Sequence, residues 1–193
     1  MELTVALDND DVLINFIPTL VDKYNEKYGT NFTVENDVTD WKIDRTKFTH
    51  GLFQLLEDSN IILEMKIKSE IIKDVLEKYH NKGVHFILVS ATEEENTFEK
   101  KIELLRKYEI DKYFDKFVNT DCKHIVSADV LVDDYIGNLE NYKKYHPFAY
   151  TILFSAPHNK SIKSSVHTRV DNWEELDLSL IHISEPTRQE AIS

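Results

Sequence analysis

Apolar residues in this chain follow two alternating patterns. Residues 3–7 have strand character, and the largely apolar run at 84–89 is typical of a strand that a parallel sheet buries on both faces. At residues 12–28 and 68–80, apolar side chains recur three and four positions apart, which predicts amphipathic helices. Further strands are predicted at 114–118, 128–132 and 150–154, and further helices at 45–57, 93–108 and 137–145. This alternation predicts an α/β fold with a parallel sheet flanked by helices.

The first two predicted strands are unusually far apart in the sequence. A strand–helix–strand crossover needs about a dozen residues or somewhat more, and far more than that separate this pair. We predict that the excess, residues 34–66, is a small helical cap above the strand ends. A purely structural decoration is the alternative. The predicted domain spans 1–177, with its core at 1–33 and 67–177.

The first strand runs directly into an acidic turn. Asp8, Asp10 and Asp11 follow the run at 3–7, although aspartate is a poor strand former. Asp8 and Asp10 lie two positions apart, so an extended backbone points both carboxylates the same way. Two carboxylates this close need a cation or a shared proton, which indicates a Mg²⁺ site, an acid–base pair or both. The alternative is a polar turn in which Asp11 caps the next helix.

Later strand ends also carry polar residues. Ser90 and Ala91 follow the second strand, where a hydroxyl and backbone N–H groups can hold an anion, although a helix N-cap is the simpler interpretation of the serine. Lys123 follows the third strand, and an isolated lysine is usually a solvated surface charge. The fourth strand ends in Asp133 and Asp134. Because ligands bind at the carboxyl ends of parallel strands, these residues and the first acidic turn indicate one site.

Composition narrows the classes of function. The chain has 193 residues and a formal net charge of −12, which argues against binding a nucleic-acid polymer. Cys122 is the only cysteine, so neither an intrachain disulfide nor a cysteine-based zinc site is expected. No apolar run reaches the roughly 18 residues of a membrane-spanning helix, and no signal peptide is visible. We therefore expect a cytoplasmic protein with no membrane partner.

The C-terminal stretch has an unusual sequence. Residues 178–188 read LSLIHISEPTR, which resembles the translation of a transposase adapter used in sequencing libraries. We predict that residues 178–193 are a non-native tail without functional information. Its alternating apolar residues imitate a strand, but the domain is expected to end near Asp177.

Taken together, the strand-end motifs resemble those of the haloacid dehalogenase (HAD) superfamily of phosphatases. They occur in the order Asp8-Asn9-Asp10, Ser90, Lys123 and Asp133-Asp134. The opening LDNDDVLINF and the insertion after it are most similar to the 5′(3′)-deoxyribonucleotidase-like group. That resemblance implies a Rossmann-like core with a small cap. Asp11 replaces the usual glycine after the first motif, and aspartate also accepts a tight left-handed turn.

The resemblance implies a phosphatase that works through an aspartyl-phosphate intermediate. Ionised Asp8 attacks the phosphorus, while Asp10 protonates the leaving alcohol and then deprotonates the hydrolytic water. Ser90, the backbone N–H of Ala91 and Lys123 hold the phosphoryl oxygens.

The same resemblance implies a Mg²⁺ cofactor, which prefers oxygen ligands. The implied ligands are Asp8, the backbone carbonyl of Asp10, and one of Asp133 and Asp134. Asp134 is the preferred direct ligand.

The implied substrate is a small phosphomonoester, a nucleoside monophosphate, with a weaker indication of a deoxypyrimidine. By the same analogy, Phe16 and Trp41 contact the nucleobase; core packing of Phe16 and an anchoring role for Trp41 are the alternatives. The oligomeric state stays open, a homodimer included.

Three other functions compete with a nucleotidase as interpretations of this sequence. The first is a HAD phosphatase acting on a sugar phosphate or a polynucleotide 3′-phosphate, the latter disfavoured by the acidic charge. The second is a catalytically silent module that binds Mg²⁺ and phosphate. The presence of both Asp8 and Asp10 disfavours it, because such a module has no evident need for both. The third is a structural α/β domain with polar strand ends.

Overall fold

The computed structural model describes residues 3–40, 43, 47–92 and 94–184. Strands and helices alternate along this part of the chain, as the apolar pattern predicts. The strands are β1 (Thr4–Leu7), β2 (His85–Ser90), β3 (Phe114–Asn119), β4 (Val130–Asp133), β5 (Tyr150–Phe154) and β6 (Thr168–Val170). The helices are α1 (Phe16–Tyr28), α2 (Val34–Asp37), α3 (Ile72–His80), α4 (Thr97–Lys107), α5 (Ile136–Tyr145) and α6 (Trp173–Ser184).

The strands form one parallel sheet in the order β3-β2-β1-β4-β5-β6. β1 lies between β2 and β4, and its Leu7 pairs with Leu88 on one side and Val132 on the other. Val5 and Leu7 pack into the larger core cluster, whereas Ala6 packs into a smaller cluster on the opposite face. The predicted Rossmann-like α/β fold is confirmed. Because the strands are parallel, their carboxyl ends share one edge of the sheet.

Helix α1 begins at Phe16, later than the start predicted at residue 12. Asp11 has a left-handed backbone with a φ of 54°, and the N–H of Leu13 bonds to the carbonyl of Asn9 at 2.9 Å. These features make a tight turn between β1 and α1. The apolar residues of this turn are therefore buried without being helical.

The segment between α1 and α3 contains the short helix α2 and two 3₁₀ helices, Leu52–Glu57 and Ser59–Glu64. The sequence predicts one α-helix at 45–57. Residues 44–46 lie outside the described part, and the described remainder contains a 3₁₀ helix instead.

Buried apolar side chains connect this segment to the core. Leu52, Leu56 and Ile62 belong to the same cluster as Ile17 of α1. Clustering of this kind suits a cap as well as a structural decoration, so the predicted cap at 34–66 stays a prediction.

The end of the described chain packs against its beginning. Trp173, the first residue of α6, is buried and donates its indole N–H to the carbonyl of Val12 at 2.9 Å. The helix continues to Ser184, and Leu180 within it is buried. The predicted domain end near Asp177 thus falls inside α6. Residues 185–193 lie outside the described part, and the non-native tail stays a prediction.

Among the described helices, none has both the length and the apolar character to cross a membrane. The cytoplasmic location and the option of a homodimer stay predictions.

Candidate active site

Residues from the ends of β1 and β4 meet around one buried lysine. Lys123 lies in the 3₁₀ helix Lys123–Ile125, and its Nζ is 2.7 Å from Asp8 Oδ1 and 2.7 Å from Asp133 Oδ2. All three side chains are buried. Lys123 is therefore not a solvated surface charge; it holds two carboxylates together.

Asp133 has further partners inside the protein. Its Oδ1 accepts from the backbone N–H of Tyr135 at 2.9 Å, and both carboxylate oxygens accept from Asn138 Nδ2, at 3.2 and 3.0 Å. Asn138 lies near the start of α5, which begins directly after β4. With Lys123 also bound, both oxygens of Asp133 are satisfied within the chain.

Asp134 is equally buried but has few partners. Neither of its carboxylate oxygens has a hydrogen-bond partner among the described residues, although His158 Nε2 lies 3.1 Å from Oδ2. One oxygen from each of Asp8, Asp133 and Asp134 lies within 4.8 Å of the others. A buried carboxylate without partners is costly, and a bound cation offsets that cost. Because the donors are all oxygens, this group of three carboxylates suits a hard divalent cation.

The electrostatics of the cluster agree with this assignment. Burial raises the pKa of Asp134 well above its ordinary value, and Asp8 and Asp133 raise it further. Burial also raises the pKa of Asp8, against the opposing effect of Lys123. For Lys123, burial favours the neutral amine, but attraction to Asp133 and Asp8 outweighs it and raises the pKa above its ordinary value. Lys123 alone thus leaves the three carboxylates incompletely neutralised.

A second buried lysine joins Asp10 to Ser90. Lys101 Nζ is 2.6 Å from Asp10 Oδ2 and 2.9 Å from Ser90 Oγ. Burial raises the pKa of Asp10; Lys101 opposes this effect and nearby Asp8 adds to it. Ser90 is not an N-cap, because α4 begins only at Thr97. Asp8 and Asp10, which leave the same strand, are therefore paired with different lysines.

Lys101 belongs to none of the strand-end motifs, although its position in the sequence carries a signal. Thr97, Leu104 and Leu105 are the other buried residues of α4, so the lysine occupies the apolar stripe of that helix. Lysine is almost never fully buried unless it is paired, so such a position indicates a buried partner. Its Nζ also lies 5.1 Å from the centre of the Phe16 ring, within range of a cation–π interaction.

A cavity of about 590 Å³ opens beside this second group. Its lining includes Asp10, Phe16, Phe53, Ala91 and Lys101. The rings of Phe16 and Phe53 are stacked, with centroids 6.4 Å apart and planes inclined by 26°. Phe53, which is not among the predicted base contacts, is 39% exposed. The other predicted base contact, Trp41, lies outside the described residues.

Asp11 stabilises the turn and belongs neither to the cluster around Lys123 nor to the group around Lys101. Its Oδ2 accepts from the N–H of Ile17 at 3.1 Å, and Lys68 Nζ lies 3.8 Å from its Oδ1. The capping interpretation therefore holds for Asp11. Burial raises the pKa of Asp11 to about 6, against the opposing effect of Lys68.

We expect Asp11→Asn to stabilise the metal-free protein near neutral pH. Asparagine tolerates the left-handed backbone and keeps an oxygen for the N–H of Ile17. The raised folded-state pKa means that ionisation of Asp11 destabilises the folded wild type. This destabilisation is absent below about pH 4 and grows as the pH rises through about 6. The shift corresponds to roughly 3 kcal/mol at most. Thermal unfolding in EDTA at about pH 4 and about pH 7.5 measures the effect; equal stabilisation at both would contradict it.

The parallel sheet flanked by helices, with its order β3-β2-β1-β4-β5-β6, is the Rossmann-like arrangement of the HAD fold. Solved structures share this fold. A predicted phosphatase from Clostridium acetobutylicum matches with a TM-score of 0.64 and 13% identity, covering 94% of this chain and 99% of that one. A HAD-superfamily hydrolase from Ehrlichia chaffeensis matches with a TM-score of 0.55 and 11% identity, covering 96% of this chain and 100% of that one.

The chain belongs to the family of 5′ nucleotidase, deoxy (pyrimidine), cytosolic type C proteins, whose family model matches residues 2–184. The curated 5′(3′)-deoxyribonucleotidase of Bacillus subtilis (strain 168) is 28% identical over 187 residues, covering 94% of this chain and 100% of that protein. The predicted superfamily, the predicted group within it and the enzyme class are confirmed.

Proposed function

We propose that this chain is a Mg²⁺-dependent nucleotidase that hydrolyses nucleoside monophosphates through an aspartyl-phosphate on Asp8. Family membership and the likeness to a 5′(3′)-deoxyribonucleotidase support a nucleotide substrate. The observation that carries the mechanism is that two carboxylates of the same turn pair with different lysines. Asp8 pairs with Lys123 deep in the acidic cluster, whereas Asp10 pairs with Lys101 beside the cavity.

Asp8 is the nucleophile of this mechanism. Its carboxylate oxygen forms a bond to phosphorus while the ester oxygen leaves with the bonding electrons. Lys123 favours the ionised carboxylate that the attack requires, against the effect of burial.

Asp10 is the general acid and then the general base. Its pKa is raised by burial, so its carboxyl group retains a proton more readily than an exposed aspartate does. It gives this proton to the leaving alcohol oxygen, and afterwards takes one from the water that hydrolyses the aspartyl-phosphate. Lys101 orients the carboxyl group through Oδ2.

Ser90, the backbone N–H of Ala91 and Lys123 hold the phosphoryl oxygens. Ser90 Oγ already accepts from Lys101, so its own hydroxyl proton is available for a phosphate oxygen. Positioned donors of this kind stabilise the charge on the transferring group.

Asp8, Asp134 and the backbone carbonyl of Asp10 would hold the Mg²⁺ ion. Asp134 is the better ligand of the acidic pair because Asp133 is already satisfied by Lys123 and Asn138. When bound, the ion neutralises charge on the phosphoryl group.

Phe53 presents the ring on which the nucleobase stacks, and Phe16, a buried member of the larger core cluster, supports that ring from behind. Both rings line the cavity next to Asp10, so a base placed there leaves its phosphate within the same site. Stacking on such rings contributes about 1–3 kcal/mol per base.

Phosphate release from a panel of ribo- and deoxynucleoside monophosphates, sugar phosphates and p-nitrophenyl phosphate tests this function. We expect a preference for deoxynucleotides that EDTA abolishes and added Mg²⁺ restores, because the acidic cluster requires a cation. Hydrolysis of p-nitrophenyl phosphate alone would keep the chemistry and reject the substrate. A folded protein that binds Mg²⁺ but hydrolyses nothing would be the silent module.

A further inference from the structure

The turn that follows β5 closes against Asp134. This 3₁₀ turn, Pro157–Asn159, places Nε2 of His158 3.1 Å from Asp134 Oδ2 and 3.3 Å from the main-chain oxygen of Asp134. Asn159 Nδ2 donates to the same main-chain oxygen at 2.7 Å. Both residues are buried. One turn therefore contacts the backbone and the side chain of Asp134 together.

Arg169 of β6 holds this turn in place. Its Nη1 donates to Oδ1 of Asn159 at 2.9 Å, and its Nη2 donates to the main-chain oxygen of Asn159 at 3.0 Å. Asn159 Nδ2 also donates to the carbonyl of Phe154, at the end of β5, at 2.8 Å. A hydrogen-bond network that is satisfied in this way is rigid, so two strands determine where His158 lies.

The acidic cluster itself offers Asp134 no comparable support. Lys123 bonds to Asp8 and Asp133, and both of these carboxylates repel that of Asp134. His158 Nε2 lies 3.1 Å from Oδ2, but neither carboxylate oxygen has a hydrogen-bond partner among the described residues. The turn after β5 thus holds the main chain of Asp134 through its carbonyl and places an imidazole beside its carboxylate, while both carboxylate oxygens stay open to a cation.

We propose that His158 and Asn159 are positioning residues for the divalent cation: they orient Asp134 for binding without reaching the cation themselves. This proposal rests on the proposed function. Outer contacts that orient a metal-binding carboxylate commonly change metal affinity by about 10- to 100-fold when they are removed. We therefore expect His158 to act on Mg²⁺ affinity before it acts on the chemical step.

The test is the dissociation constant of Mg²⁺, measured by calorimetry on the full chain, for His158→Phe and His158→Gln. Phenylalanine fills the space without a donor, and we expect it to weaken Mg²⁺ binding by roughly ten-fold or more. Glutamine can place an amide N–H close to the position of Nε2, so it should recover most of the affinity. If the phenylalanine variant does not fold, His158→Asn replaces it, because its shorter amide does not reach Asp134.

His167→Phe is the matched control. His167 is also buried, but its Nδ1 contacts Thr151 Oγ1 at 2.7 Å, away from the acidic cluster. We expect this variant to bind Mg²⁺ as the wild type does, with any loss confined to thermal stability in EDTA. An equal loss of Mg²⁺ affinity in both phenylalanine variants would overturn the proposal.

Two outcomes separate this proposal from the function on which it rests. A wild type that hydrolyses nucleotides and binds Mg²⁺, with His158 variants of unchanged affinity, overturns only the positioning role. A wild type that neither binds Mg²⁺ nor hydrolyses any phosphate ester overturns both.

Discussion

Asp8→Asn is expected to lower the nucleotidase turnover by roughly 10³-fold or more, because an amide cannot form the aspartyl-phosphate. The amide oxygen can still accept from Lys123, which also keeps its 2.7 Å contact with Asp133. The variant should therefore fold. The measurement is steady-state phosphate release, together with protein-bound phosphate after acid quenching, which should disappear.

Asp22→Asn is the control for this variant. Asp22 is an exposed residue of α1 and belongs neither to the cluster around Lys123 nor to the group around Lys101. Its conversion to asparagine should therefore leave turnover unchanged. A folded Asp8→Asn protein with wild-type turnover would eliminate the covalent mechanism.

Asp10→Asn is expected to slow nucleotide hydrolysis by about 10²- to 10⁴-fold, the usual contribution of a general acid and base. A nucleoside leaves as a poor, strongly basic alkoxide and needs the proton of Asp10. The nitrophenolate of p-nitrophenyl phosphate leaves without help. The loss in the first, phosphorylating step should therefore be much smaller for p-nitrophenyl phosphate than for a nucleotide.

Rapid mixing separates the two steps of this reaction. With p-nitrophenyl phosphate, Asp10→Asn should release one equivalent of nitrophenolate per protein quickly and then turn over slowly, because the water still lacks its base. Equal losses for both substrates in the first step would reject the acid role of Asp10.

The proximity of the candidate site residues was largely predictable because parallel strands bring their carboxyl ends to one edge. Asp8 follows β1, Ser90 ends β2 and Asp133 ends β4, so the order of motifs in the sequence became proximity in space. Lys123 does not end a strand; the 3₁₀ helix that carries it lies between β3 and β4.

Features that depend on tertiary partners were not predictable from the pattern. The apolar pattern predicts the start of α1 too early, because periodicity does not reveal the left-handed backbone of Asp11. The role of Lys101 is not evident from the sequence because a lysine in a helix normally points to water. Here its contacts with Asp10 and Ser90 offset the cost of its burial. His158 lies far from Asp134 in sequence, and only the packing of the turn after β5 brings them together.

The bond between Trp173 and Val12 has a consequence for synthesis of the chain on the ribosome. Val12 belongs to the turn that carries the acids, and its buried carbonyl accepts from an indole made 161 residues later. An unsatisfied buried carbonyl costs about 1–3 kcal/mol. During translation the acidic turn is therefore made 161 residues before the indole that supports it. The nascent chain carries these carboxylates long before they are held in their final arrangement.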